Sequence, residues 1–294
     1  MKNTKIGFIG LGLMGAAMVD RLLSIGYDVT VLGNKSRTRI DAAIAQGAKE
    51  AESAKALSLA SDVIMLCMDT SASVESRMYG DEGVIAGLSA GKVVIDFGTS
   101  LPSSTKAIGA EISKLGAYYL DGPLGRTPAH AIEGKLNIMA SGNETGFNIA
   151  KPVLEDLSEN LFYLGSLASG HTIKLINNFF GMTTAAAMSE AFVMADKAGI
   201  DRQALYNVMS AGPLHSGMMD FVRGFAIDNN PNDLAFSIKN AAKDVGYYTQ
   251  MADDLGVDSI MAKSANNTLN QAMNDGFSDN MVSELVSFFE KKFD

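Results

Sequence analysis

Short apolar runs alternate with segments of helical period through the first half of the chain. Lys5–Ile9, Asp28–Leu32, Asp62–Cys67, Lys92–Asp96 and Ala117–Asp121 are runs rich in Val, Ile, Leu and aromatic residues, and they read as buried strands. Between them the apolar positions recur on one helical face at Gly15–Ile25, Arg37–Gln46 and Ser73–Tyr79. This β-α-β-α rhythm predicts a parallel sheet with helices on both faces. Leu136–Ser141 and Leu161–Leu164 read as two further strands that extend the sheet. Past Gly165 the pattern changes. His171 to Lys197 reads as one long helix with small residues at its middle (Thr183 to Ala187), and the rest is helical, broken at Gly199, Gly212-Pro213, Asn229-Asn230-Pro231, Gly256 and Gly276. The chain is therefore expected to divide into an α/β domain over 1–165 and an all-α domain over 166–294, joined by the long helix. That helix is apolar around a wide arc, so it is expected to be buried, within its own domain or across a subunit interface.

The first predicted strand runs into Gly10-Leu11-Gly12-Leu13-Met14-Gly15, after which a helix begins. A lone G-x-G-x-x-G says little, but a strand before it and a helix after it place backbone N–H groups and a helix N-terminus where a pyrophosphate can lie. The first glycine allows the tight turn, the second lets the phosphates approach the backbone, and the third lets helix and strand pack closely. The fold expected is a Rossmann-type α/β domain followed by a helical one. An acidic residue at the end of the second strand would accept from the ribose 2′-hydroxyl of NAD. Here Gly33 takes that position and is followed by Asn34, Lys35, Ser36 and Arg37. Cations with amide and hydroxyl donors suit a 2′-phosphate, so NADP(H) is the expected cofactor, with NAD(H) the alternative. The competing reading is that Lys35 and Arg37 are solvated residues at a helix start.

Composition narrows the remaining choices. The 294 residues carry a net charge of −9, with 47% hydrophobic and 19% charged residues. An acidic chain lacks the basic surface that a phosphate backbone requires, so no nucleic-acid partner is expected. No run matches a signal peptide or a membrane span, and Cys67 is the single cysteine, which fits a reducing cytoplasm. The three histidines, His130, His171 and His215, stand at no ligand spacing, so no metal site is expected.

Two segments carry candidate chemistry. Lys174, Asn177, Asn178 and Gly181 fall at i, i+3, i+4 and i+7 near the start of the long helix and share one face. Asparagine is a poor helix-interior residue, so two beside a lysine need a reason. Lys174 could protonate a substrate oxygen, the two amides could orient substrate or lysine, and Gly181 could leave room; the alternative is a polar stripe packed against loops. The second segment, Asp121 to His130, follows the last parallel strand, at the sheet end where ligands bind in such folds. Within it Gly125, Arg126 and Thr127 offer a guanidinium and a hydroxyl to a carboxylate, phosphate or sulfonate. The alternative there is a surface turn with a solvated arginine.

Taken together, Gly7–Gly15, Asp96-Phe97-Gly98-Thr99, Asp121-Gly122-Pro123, Lys174-Leu175-Ile176-Asn177-Asn178 and Lys243-Asp244-Val245 resemble the β-hydroxyacid dehydrogenase, or 3-hydroxyisobutyrate dehydrogenase-like, family over essentially the whole chain. The resemblance implies that Lys174 is the catalytic lysine and that Asn178 supports it one turn later. It also implies that Met68, Asp69 and Thr99 lie beside the nicotinamide half and that Lys243 reaches the cofactor. Most members carry Ser-Gly-Gly where this chain has Gly125-Arg126-Thr127, a version similar to the sulfolactaldehyde reductase branch. The expected activity is NADPH-dependent reduction of a short anionic aldehyde to its hydroxy acid, with hydride from the nicotinamide and a proton from Lys174. The substrate is expected to be 3-sulfolactaldehyde-like. The carboxylate alternatives are succinic, tartronate and methylmalonate semialdehydes, and a catalytically silent dinucleotide-binding module is the non-enzyme alternative. A homodimer or homotetramer is expected.

Overall fold

A computed structural model describes residues 2–33 and 37–294. The chain forms two compact units, Met1–Lys174 and Leu175–Asp294, and the division falls inside the long helix rather than ahead of it at 165.

The first unit runs β1 (Lys5–Ile9), α1 (Leu13–Ser24), β2 (Asp28–Leu32), α2 (Thr38–Ala45), β3 (Lys49–Ala51), α3 (Ala54–Ala60), β4 (Val63–Leu66), α4 (Ser71–Met78), β5 (Val93–Asp96), α5 (Pro102–Lys114), β6 (Tyr118–Asp121), β7 (Leu124–Gly125), α6 (Pro128–Ile132), β8 (Leu136–Gly142), α7 (Glu144–Leu157) and β9 (Ser158–Tyr163). Helix α8 (Ser169–Lys197) then leads out of it. Among the described residues the strands lie in the order β3-β2-β1-β4-β5-β6-β8-β7, with β9 on β8. The first six pair in parallel; β8 is antiparallel to β6 and β7. Strand order reverses at β1, between β2 and β4, which opens a crevice at the carboxyl ends of those strands.

The central strands β1, β4 and β5 are buried on both faces, which is why they are apolar, whereas the edge strand β3 is charged and exposed. Ile6, Phe8, Val29, Val31, Val63, Met65, Val93 and Ile95 point into one core with α1 and α7. Ile9, Leu32, Ile64, Leu66, Val94 and Tyr119 alternate into the other, against α3, α4 and α5. Gly7 marks the closest approach on the second face, since a Cβ there would lie 2.3 Å from a Leu57 methyl of α3.

The second unit comprises most of α8 with α9 (Arg202–Ser210), α10 (Gly217–Asp228), α11 (Ile238–Asp254), α12 (Ile260–Ala272) and α13 (Leu285–Phe293). Its core joins Met182, Ala185, Met188 and Phe192 of α8 to Ile238 and Val245 of α11, Leu269 of α12 and Phe288 of α13. Gly276 adopts φ +97° and ends the turn that follows α12. Among the described residues no helix is long and apolar enough to cross a membrane, and no group of His, Cys, Asp and Glu side chains could hold a metal ion.

Candidate active site

The three glycines after β1 do three different jobs. Gly10 has φ +95°, and a Cβ on it would meet the Cys67 carbonyl oxygen at 2.4 Å and Met68 Sδ at 2.8 Å. Gly15 is buried on α1, where a Cβ would lie 2.0 Å from the Gly10 oxygen. Gly12 is the N-cap of α1 and has nothing within 4 Å of its Cβ direction. So the first and third glycines are required by packing, while the second opens onto free space at a helix N-terminus. Leu11, Leu13 and Met14 complete the turn, and Leu13 is exposed. This cradle fits a dinucleotide pyrophosphate, whose charge the α1 amides and dipole would hold.

The neighbouring strand ends bring up the other predicted cofactor contacts. Met68 and Asp69 follow β4, and Thr99 follows β5 in a turn braced by Asp96, which accepts from the Gly98 amide at 2.8 Å and the Ser100 hydroxyl at 2.7 Å. Burial and the Asp96 charge push the Cys67 thiol up to about 12, so it is no thiolate nucleophile near neutral pH. Beyond β2, Asn34, Lys35 and Ser36 lie outside the described residues. Arg37 is described, and its guanidinium pairs with Asp41 and Glu50. The Arg37 contact holds the Glu50 carboxyl below the ordinary glutamate range.

After β6 the chain turns through Gly122 and Pro123 into β7. Lys174 Nζ donates to the Leu124 carbonyl at 2.9 Å, so the start of α8 and the β7 turn are joined through the predicted catalytic lysine. Gly125 sits against the Asn137 side chain, which a Cβ would approach to 3.2 Å. Arg126 adopts φ +77°. Its guanidinium donates to the Lys135 carbonyl at 2.8 Å and forms an ion pair with Glu159 of β9. Thr127 Oγ1 is 2.8 Å from His130 Nδ1. The arginine expected to be a free anion clamp thus holds a carboxylate of its own chain.

Sequence reasoning assigned no role to a buried polar frame that fixes this region. Asp96 and Asp121 face each other in the β5–β6 register, and both are fully buried. Asp121 accepts from the backbone amides of Ala168 and His171, each at 2.8 Å, and from the Ser141 hydroxyl. The Ser141 oxygen also accepts from the Gly170 amide at 2.9 Å. These bonds satisfy amides at the first turn of α8, a capping function that side chains normally provide. The buried His171 ring lies 3.7 Å from Asp96 and 3.9 Å from Asp121, with Thr105 Oγ1 2.8 Å from its Nδ1. The same contacts explain why the unit boundary falls inside the helix: its first turn belongs to the sheet. The signal available in sequence was the two strand-end aspartates.

In the second unit, Asn178 is buried and donates to Asp244 Oδ2 of α11 at 2.6 Å. The exposed Asn177 donates to Asn178 Oδ1 at 3.2 Å. Lys243 lies 2.9 Å from Asp244 Oδ1 and 5.4 Å from the centre of the Tyr247 ring. Asp244 therefore ties the amide of α8 to the lysine of α11, a link that the sequence motif contains but does not reveal. Gly181 faces Met218, whose methyl a Cβ would approach to 3.2 Å, so the room it leaves is taken up by a flexible side chain of α10.

Comparison with known proteins places this geometry. Residues 5–165 match the family model described as the NAD binding domain of 6-phosphogluconate dehydrogenase. Residues 168–289 match that described as NAD-binding of NADP-dependent 3-hydroxyisobutyrate dehydrogenase. The chain belongs to the β-hydroxyacid dehydrogenase family. This β-hydroxyacid dehydrogenase is 32% identical over 249 residues to the 2-hydroxy-3-oxopropionate reductase of Escherichia coli (strain K12), an alignment covering 81% of this chain and 84% of the relative. It is 30% identical over 288 residues to glyoxylate/succinic semialdehyde reductase 1 of Arabidopsis thaliana, covering 97% and 99%. Among solved structures, Mycobacterium tuberculosis 3-hydroxyisobutyrate dehydrogenase with L-serine superposes with a TM-score of 0.88 at 25% identity, covering 97% of this chain and 98% of that one. The protein is accordingly an NAD(P)-dependent oxidoreductase of the hydroxyacid dehydrogenase class, which sets aside the silent-module reading.

Proposed function

We propose that this enzyme reduces a short aldehyde bearing an anionic group, with NADPH preferred over NADH and Lys174 as the proton donor. The observation that carries the reading is Lys174 itself. It stands one helical turn before Asn178 on α8, with Nζ anchored at 2.9 Å on the Leu124 carbonyl of the strand-end turn. When bound, the reduced nicotinamide supplies hydride to the carbonyl carbon. Lys174 gives its proton to the alkoxide oxygen that develops there, and in the oxidative direction the neutral amine takes the proton back. Oxidation is therefore favoured at alkaline pH. Asn178, held by Asp244, supports the lysine; Asn177, Thr127 and Arg126 fix the anion and thereby the carbonyl face presented. Gly125 and Gly181 contribute to the substrate site as residues without a side chain, packed against Asn137 and Met218 respectively. Gly10 to Gly15, Arg37, Met68, Asp69, Thr99 and Lys243 serve the cofactor, together with the segment Asn34 to Ser36.

The Gly125-Arg126-Thr127 turn favours a sulfonate such as 3-sulfolactaldehyde. The second reading, a carboxylate semialdehyde, is favoured by the two relatives named above, reductases of 2-hydroxy-3-oxopropionate and of glyoxylate and succinic semialdehyde. In this reading residues 1–165 are the dinucleotide-binding domain, 166–294 are a helical substrate and dimerisation domain, and the enzyme works in the cytoplasm. A homodimer or homotetramer is supported by the apolar groove of the second unit, where Phe180, Leu214 and Met261 are exposed beside Met188 and Met219.

Initial rates of NADPH and NADH oxidation with sulfolactaldehyde, succinic semialdehyde and tartronate semialdehyde test the substrate. Selectivity for the sulfonate supports the first reading, and preference for a carboxylate supports the second. Lys174→Ala is expected to lower kcat by ~10²–10⁴ with cofactor affinity retained, the range for loss of a general acid. A variant that keeps most of its turnover would refute the assignment.

A further inference from the structure

A cavity of about 440 Å³ lies at the carboxyl ends of β2 and β3, lined by Leu32, Gly33, Arg37, Glu50, Ala51 and Glu52. The two strands pair in parallel with Val31 opposite Glu50 and Leu32 opposite Ala51. Glu50 reaches across this pairing. A Cβ built on Gly33 would lie 2.4 Å from Glu50 Oε1 and 3.1 Å from an Arg37 guanidinium nitrogen. The volume that an acidic side chain at the end of β2 would fill is thus already filled by a carboxylate, delivered from the next strand. Among the described residues the cavity wall carries Arg37 against Glu50 and Glu52, with Asp41 on the far side of the guanidinium.

Arg37 is also not held in reserve. One of its terminal nitrogens donates to Asp41 Oδ1 at 2.8 Å and to Glu50 Oε2 at 3.0 Å, and the other donates to Glu50 Oε1 at 2.5 Å. This is a fork-to-fork pair, the arrangement that a phosphate would otherwise demand of the same guanidinium. About half of the Arg37 side chain and a third of the Glu50 side chain are exposed, so the pair is weak enough to open on ligand binding.

We infer that Glu50 is the coenzyme-selecting residue of this chain, a carboxylate that accepts from the adenosine ribose of NAD(H) and competes with the 2′-phosphate of NADP(H) for Arg37. The inference rests on the dinucleotide reading above and sharpens it. The preference for NADPH is what remains after Glu50 has opposed it, so removal of one charge should release it. Placing a repelling group against the wrong ligand is a common route to specificity.

The test uses the cofactor-free enzyme and two adenosine probes that differ only at the 2′ position, 2′,5′-ADP and 5′-AMP, with calorimetry as the readout. Glu50→Gln is expected to raise 2′,5′-ADP affinity at least tenfold while 5′-AMP affinity stays level or falls. Arg37→Gln should lower 2′,5′-ADP affinity at least tenfold with little change for 5′-AMP. Both differences should shrink as salt is raised, because the groups are solvent-facing. An unchanged ratio of the two affinities in Glu50→Gln would overturn the inference while leaving the dinucleotide site intact. Failure of the unmodified protein to bind either probe would overturn the dinucleotide reading and this inference together. The side chains are exposed enough that the variants should fold, and circular dichroism of Glu50→Ala beside Glu50→Gln separates any lost fold from lost selection.

Discussion

The turn after β1 and the turn after β6 stand at the same edge of the same sheet, yet they are built by different means. The first is made of backbone. Gly10 and Gly15 are forced, since a Cβ on them would lie 2.4 and 2.0 Å from backbone oxygens, and Gly12 opens onto free space. The second is made of side chains. Arg126 sits at φ +77°, a conformation that favours glycine, and is held there with Glu159 and the Lys135 carbonyl as partners. A backbone cradle needs no partner residue, so it is ready before the ligand arrives. A guanidinium in an acidic protein finds a carboxylate first, and it must be won from it. Arg37 with Glu50 repeats the second pattern within the domain that holds the first.

The sharpest way to break the contrast is at the glycines. Gly15→Ala drives a methyl to within 2.0 Å of the Gly10 oxygen, a backbone atom that cannot turn aside. Overpacking of this kind costs about 1–3 kcal/mol and here displaces α1 from the strand. A lower Tm and at least a tenfold loss of cofactor affinity are expected together. Gly12→Ala meets nothing, so its Tm should be unchanged while cofactor affinity alone falls. Thermal melts and NADPH titration of the two variants distinguish packing from phosphate approach; equal behaviour of the pair would show that the glycines do not divide the work.

Arg126→Gly tests the other turn and should have an intermediate effect. Glycine relieves the positive φ, which costs an arginine about 1–2 kcal/mol, while the partly exposed Glu159 pair contributes little to stability. The Tm should therefore hold or rise slightly. KM for the anionic aldehyde should increase tenfold or more, with cofactor KM unchanged, because the proposed charge-assisted contact to substrate is removed. A KM that does not move would mean that Arg126 serves Glu159 alone.

The same contrast decides what could be read from sequence. The parallel core was legible because its central strands are buried on both faces and therefore apolar, and the glycine turn was legible because backbone geometry leaves a mark at its own positions. That Lys174 and Asn178 share a face of α8 was legible from their spacing. Their partners were not. Lys174 meets the Leu124 carbonyl and Asn178 meets Asp244 of α11, 66 residues away; Glu159, likewise, is the partner of Arg126, and nothing in local spacing points to these pairings. Glu50 escaped for a further reason: β3 is a three-residue strand, Lys49–Ala51, with two charged and exposed positions, so no apolar run announces it. The sequence therefore shows Arg37 at that strand end but not the carboxylate of β3 that pairs with it. Asp121 escaped because it caps the first turn of α8 from a strand end, accepting from the His171 amide, a pairing that only the fold brings about.

Cys67 should show the smallest effect, and it tests whether the turn after β4 sides with backbone or side chain. Its carbonyl is the atom nearest to a Cβ on Gly10, so the residue shapes the cradle through its main chain. Its thiol, pushed up to about 12 by burial and by Asp96, carries a thiolate fraction of only ~10⁻⁴ at pH 8, and the thiolate is the form that reacts. Native enzyme treated with iodoacetamide at pH 8 should therefore keep its activity for hours, and labelling should speed up only as pH is raised or the protein is unfolded. Cys67→Ala should bind NADPH as the unmodified enzyme does. Rapid labelling with loss of activity would place the sulfur, rather than the carbonyl, at the working surface of that strand end, and the division between a backbone-built cofactor cradle and a side-chain-built substrate turn would no longer hold.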